Sequence, residues 1–185
     1  MSVEIPLTSL ALTEFVPRVR VCRYSVRERI AQEIFARLEL LTTGYSDCLT
    51  VSEVIRPTRM GGFTPQHLQI VLTLSDGQID PELMCPGNPP AIAHVQQYNI
   101  RCHVMPSEKD YVIADEIIST MTAEVERVVC DETLYPQWHT MGDLAINSMF
   151  GPLENIDPDG SYIGANMPVI VTYRTDEGNQ FNVRA

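Results

Sequence analysis

Lysine is almost absent: Lys109 is the only one, and the other twelve basic residues are arginines, set against 24 acidic residues for a formal net charge of −11. A groove that grips nucleic acid neutralises phosphates with clustered Lys and Arg, so this balance argues against a dedicated DNA or RNA binder. It is compatible with DNA passing close by, because a surface of this sign repels phosphate and favours transit over capture. Long apolar runs are missing too, with nothing near the ~18 residues that a membrane span needs. The opening stretch carries Glu4, Pro6 and Glu14 in place of a basic start and an unbroken apolar run, so no signal peptide is expected and folding in a reducing cytoplasm is. Cys22, Cys48, Cys85, Cys102 and Cys130 are odd in number and form no CxxC pair. That is poor grammar for a disulfide framework or a zinc knuckle, and free thiols are the expectation.

What is present suffices for a core. Of 185 residues, 44% are apolar and 20% charged, the balance of a soluble globular protein, and a chain of this size buries roughly 70% of its unfolded surface without a metal or disulfide staple. Residues 1–24 have no helical repeat, contain Pro6 and Pro17, and read as an extended N-terminal arm; residues 25–185 read as a single α+β domain. Ser25 and Glu28 form a capping-box signature, after which Val26, Ile30, Ile34, Leu38 and Leu41 recur at helical spacing until Gly44. Glu33 stands four residues before Arg37, which predicts an ion pair on the outer face of that helix.

The period then changes to two. Leu49, Val51 and Ile55 predict a strand that Pro57 stops, and residues 58–66 read as a turn. Leu68, Ile70, Leu72 and Leu74 are predicted to face inward, with His67, Gln69, Val71 and Thr73 outward. Residues 75–94 hold Pro81, Pro86, Pro89, Pro90, Gly77 and Gly87 and read as one long Pro-rich loop, far beyond the ~4–6 residues of an ordinary connection and therefore of functional interest. A third strand follows, with Tyr98, Ile100, Cys102 and Val104 inward and Gln97, Asn99, Arg101 and His103 on a wet face. Ser107 is the expected cap of a second helix running to about Cys130, with Ala114, Ile117, Ile118, Met121, Val125 and Val128 as its stripe. A strand around Leu144–Phe150, a turn at 158–160 and a final strand around Val169–Tyr173 complete the order α-β-β-β-α-β-β. That order predicts a two-layer sandwich: two long helices on one face of a mainly antiparallel sheet.

Chemistry-bearing patterns are weak. His67, His94, His103 and His139 have no metal-ligand spacing with the cysteines, and Cys102 and His103, being adjacent in a strand, point to opposite faces. A thiol hydrolase using Cys102 or Cys130 with His103 or His139 is one competing reading, and an exposed, low-pKa thiol would favour it. No G-x-G-x-x-G, Walker lysine or G-x-S-x-G elbow occurs. Asp157 and Asp159 beside Gly160 suggest a turn, since Pro158 breaks the EF-hand pattern. A third reading is a module that takes a peptide by strand addition at Tyr173.

The element order, the PGNPPAIAH stretch leading into the third strand and the closing VTYRTDEGNQF together resemble phage tail terminator or tail-completion proteins, in layout over about residues 25–182 and specifically in the two short segments. The resemblance implies a virion structural protein of the head–tail junction, assembled in the host cytoplasm and built into a homo-oligomeric, hexameric ring on the end of the tail tube. There it stops tube polymerisation and joins the head connector; a neighbouring neck ring protein is the close alternative. Implied partners are the tail tube protein, the connector or neck protein and, in a contractile tail, the sheath protein; dsDNA passes through an acidic or neutral lumen without specific binding. The resemblance implies no catalytic residue, no metal, no cofactor and no membrane. Candidate subunit-interface residues are Arg18, Arg20 and Arg23 of the arm, expected to pair with acidic helix surfaces of an adjacent copy, Pro86, Asn88, Pro89 and Pro90 of the loop, and Tyr173, Arg174, Thr175 and Asp176 of the closing strand.

Overall fold

The computed structural model describes residues 24–57, 66–105, 111–133, 137–156 and 162–184, excepting the side chains of Tyr111 and Val112. Arg18, Arg20 and Arg23, the cap expected at Ser107 and the turn expected at 158–160 lie outside the described residues. The first helix, α1 (Val26–Glu39), starts where its sequence says it should: the Ser25 hydroxyl accepts from the Glu28 N–H at 3.3 Å, satisfying one of the donors that every helix start leaves without a partner. A 3-10 turn at Leu40–Thr42 extends it, and Gly44, at φ +75°, supplies the left-handed turn that ends it. Val26, Ile30, Ile34, Leu38 and Leu41 are all fully buried.

Arg37 departs from its expected outer-face position. It pairs with Glu33 at 3.0 Å as the spacing predicts, but it is fully buried. Its Nη1 donates to the carbonyl of Val129 at 2.5 Å, the last residue of α2 (Tyr111–Val129). The last carbonyls of a helix have no partner within the helix and carry the negative end of its dipole, so a buried guanidinium is a matched cap. One arginine thus ties the end of α1 to the end of α2.

Among the described residues the sheet has eight strands: β1 (Glu53–Ile55), β2 (Gln69–Leu74), β3 (Gln78–Ile79), β4 (Ala91–Val104), β5 (Asn147–Phe150), β6 (Glu154–Ile156), β7 (Ile163–Asp176) and β8 (Asn179–Val183). The main path is β1-β2-β4-β7-β5, with β3 beside β4, and β6 and β8 beside β7. β1 and β2 run parallel, and every other pairing is antiparallel, so the sheet is mixed and the fold is α+β. Ile70, Leu72, Tyr98, Ile100, Cys102, Ala165, Val169 and Val171 from one set of alternating positions join α1 and α2 in a single apolar cluster.

Several expected boundaries give way. Residues 75–94 are not one loop: β3 pairs with Val95 and His94, Pro81–Leu83 form a 3-10 turn, and β4 already begins at Ala91. The closing strand is fourteen residues long rather than five and is not an edge. β7 lies between β4 on one side and β8, β5 and β6 on the other, so among the described residues Tyr173 is not on the free edge strand that the sequence reading expects. The outward face is also drier than its polar sequence suggests, with Gln69, Asn99 and His103 buried alongside Val71. Asn99 there accepts from Gln97 and donates to Ser75 Oγ at 2.6 Å, and Asn166 donates to Glu154 at 2.9 Å, so most of these amides are satisfied as burial requires.

Pro168 sits in the interior strand β7, where a missing N–H would ordinarily cost a ladder bond. Its carbonyl accepts from Gly151 N–H at 2.7 Å, which puts its nitrogen on the same side of the strand. That side is the break between β5, ending opposite Val169, and β6, beginning opposite Asn166. No ladder donor is needed there, and the proline is tolerated.

Replacing Arg37 by Ala is expected to destabilise the protein by about 3 kcal/mol, because it strands a buried helix-end carbonyl and the Glu33 carboxylate. Glu33→Gln, with its partly exposed carboxylate, is expected to cost under ~1 kcal/mol. Urea unfolding of both variants checks the contrast.

Candidate functional site

The two sequence segments that carry the resemblance meet at one corner. Cys85 and Ala91 exchange both backbone hydrogen bonds, at 3.1 and 2.9 Å, so the Pro86–Pro90 segment is closed into a tight lobe at the end of β4. Its Asn88–Pro89 peptide is cis. Ala91 is opposite Asp176 in the sheet, and the chain turns there through Glu177 and Gly178, whose φ of +74° favours glycine. β8 then runs back along β7.

The hairpin holds the lobe, and the 3-10 turn at Pro81–Leu83 before it, through backbone carbonyls. Glu177 N–H donates to Pro90 O at 2.9 Å, Arg174 Nε to Leu83 O at 2.9 Å, and Arg184 Nη1 to Pro89 O at 2.6 Å. Arg184 is itself held by Asp176, at 3.3 Å. Guanidinium donors suit this task because they offer several N–H groups in a fixed planar array. The fit is close: a Cβ on Gly87 would lie 3.0 Å from Pro89 O and 3.3 Å from Arg184 Nη1.

Of the expected interface residues, Pro86, Asn88 and Pro89 are exposed, and Pro90, Arg174 and Asp176 half-buried, all in this corner. Tyr173 and Thr175 are buried and support it from below: Tyr173 stacks on His94 at 5.0 Å between centroids, and Thr175 Oγ1 lies 2.9 Å from His94 Nε2. Burial holds the His94 pKa below its usual value. Residues that sequence reasoning missed complete the surface. Ile79, Leu83, Met84 and Phe181 are large, apolar and exposed, and Arg184 is the clasp. The DEGN tetrapeptide at 176–179, a two-residue turn containing glycine, was the available signal for β8.

Two depressions flank the hairpin. A groove of about 300 Å³ is lined by Ile92, His94, Thr175 and Gln180, and a larger cleft of about 870 Å³ lies between β8 and the start of α1, with Tyr24, Arg29, Gln32, Asp143 and Leu144 on its walls. Asp176 and Phe181 belong to both.

The thiols are placed differently from a nucleophile. Burial pushes the Cys102 thiol up to about 12, and burial followed by the Glu126 carboxylate pushes Cys130 up to about 11. His103 is held down at about 4 by burial and then by the charge of Arg101. A thiolate poised near neutral pH needs the opposite environment. Among the described residues, no group of three His, Cys, Asp or Glu side chains is arranged to hold a metal ion, and no helix is long and apolar enough to cross a membrane.

Compared with known proteins, the chain matches no family model and no curated sequence.

Two measurements follow from these environments. Ellman's reagent at pH 8 is expected to modify exposed Cys48 in the folded protein and to reach Cys102 only after unfolding. Because the folded state keeps His103 neutral down to about pH 4 whereas the unfolded chain protonates it near 6.5, stability is expected to fall as pH drops through that window. Urea midpoints for the wild type and His103→Gln, taken from pH 7 to 4, should diverge, with the variant showing the flatter profile.

Proposed function

We propose that this protein is a structural subunit of a phage head–tail junction, forming a homo-oligomeric ring on the end of the tail tube, ending its polymerisation and joining it to the head connector. The observation that supports this reading most directly is the corner just described: the two segments that carry the resemblance, joined where Glu177 N–H bonds Pro90 O, pack into one exposed surface. A proline-rich lobe held by backbone hydrogen bonds loses little conformational entropy on docking, which suits an interface that must form repeatedly and identically. Exposed Ile79, Leu83, Met84 and Phe181 give that surface apolar contact area of the kind found at the centre of interfaces. The sheet's edges are short strands of two to five residues, so copies meet in a limited way rather than by open-ended sheet growth. A contact between two different surfaces of the same subunit closes into a ring when its rotation divides a full turn. The acidic composition fits a lumen through which DNA moves without sticking.

The expected mass of the assembled protein is about 125 kDa, six times the 20.8 kDa of the chain, with annular particles in negative stain. Light scattering followed by imaging of the main peak tests this. If the purified protein is monomeric, isolated tail tubes are added, and failure to cap them counts against the proposal.

A further inference from the structure

Three elements wall the cleft of about 870 Å³ beside β8. Arg29 and Gln32 come from the first turns of α1, Asp143 and Leu144 from the segment before β5, and Phe181 and Val183 from β8. Such a volume lies at the upper end of the ~300–1,000 Å³ of sites that enclose a ligand. The rim carries exposed aromatic surface, with Tyr24 52% and Phe181 48% exposed. Arg29 and Asp143 form no ion pair among the described residues.

Tyr24 bears on what occupies this space. It immediately precedes the Ser25 cap, whose backbone is extended at φ −59° and ψ 157°, and Arg29 is the fourth residue of the helix that follows. Residues at these two positions commonly meet and fix the direction in which a chain enters its helix. Here both line the cleft, so the chain comes to α1 from the cleft side. Next in line are Arg18-Val19-Arg20-Val21-Cys22-Arg23. The two valines suit Leu144 and Phe181, and the arginines suit Asp143. A segment joined directly to the wall of its site binds intramolecularly, at an effective concentration in the ~mM range. That advantage favours the segment of the same chain over one from another copy.

We propose that residues 18–23 lie in the cleft of their own subunit, with the valines on Leu144 and Phe181 and an arginine beside Asp143. The segment then braces the β7–β8 hairpin, whose Glu177 and Arg184 hold the lobe, and the arm and the corner form one unit. This contact lies within one chain and is independent of the ring.

Cross-linking within the full-length protein tests the placement. In a Cys22→Ser/Cys48→Ser/Cys85→Ser background, Arg20→Cys is combined in turn with Arg29→Cys, Gln32→Cys and Asn182→Cys, and each protein is oxidised with copper phenanthroline. Position 20 is four residues ahead of Tyr24, about 13 Å along an extended chain, so a link reports the path of the segment and not its attachment alone. At least one pair is expected to form a disulfide within the chain: a band of monomer size on a non-reducing gel, with the linked peptides found by mass spectrometry and lost when Arg20 is restored. A ladder from dimer upward overturns the proposal, because the segment then lies on another copy. Absence of any link from the three pairs overturns it as well, once far-UV circular dichroism has established that each protein is folded. In the otherwise native chain, Val19→Asp/Val21→Asp is expected to lower hydrogen-exchange protection across residues 179–184, and unchanged protection overturns the bracing of the hairpin. The ring reading is judged separately, by the assembled mass from light scattering.

Discussion

The pairing of β4 with β7 is the constraint on which the other elements depend. All fourteen residues of each strand are in register, from Ala91 opposite Asp176 to Val104 opposite Ile163. Because side chains alternate along a strand, a slip of one residue would turn Tyr98, Ile100 and Cys102 away from the helices and bring Asn99 and Arg101 into the apolar cluster. The burial of Tyr98, whose hydroxyl donates to the carbonyl of Arg27 at 2.8 Å, ties that register to α1. The same ladder sets the position of the corner, since Ala91 and Asp176 are its last pair.

Arg37 works on the helices as the long ladder works on the sheet. Two helices lying side by side on apolar residues alone can slide, because hydrophobic burial is non-directional. A hydrogen bond from a buried guanidinium to the terminal carbonyl of the neighbouring helix is directional and admits one longitudinal position. Nearby, the Tyr45 hydroxyl bonds Asp131 just past the end of α2, and Arg127 lies over the Tyr45 ring at 4.8 Å from its centroid, so the same end of the helix pair is fastened from a second direction.

How legible this was from sequence varied with the physics involved. The start of α1 was readable because capping is local: Ser25 and Glu28 are three positions apart and act within one turn. The stripe of α2 was readable because burial repeats with the helical period. Arg37 looks exposed by its charge but is buried by its position, seven residues after Ile30 and three after Ile34 on the apolar stripe, and its partner carbonyl lies 92 positions away in the chain. The early start of β4 was hidden by small residues: Ala91 and Ala93 are buried, yet alanine gives little alternation contrast, and three nearby prolines suggested a loop. The full length of β7 is hidden by Pro168, acceptable in an interior strand only because its nitrogen faces the break between β5 and β6, a long-range circumstance that no local window contains. For the candidate site, the two segments were singled out from sequence. Their convergence, the clasp by Arg184 and the burial of Tyr173 and Thr175 depend on the fold.

The outer side of β7 is covered by β8, β5 and β6 in turn, whereas its inner side is covered by β4 alone. A tension along the sheet therefore meets two mechanically different seams. Sliding β4 against β7 loads a fourteen-residue ladder in shear, and its bonds share the force; pulling on the C-terminal end peels β8 first, leaving β5 and β6 in place. A load on the C-terminal end is therefore met first at the hairpin, while the central ladder keeps its register.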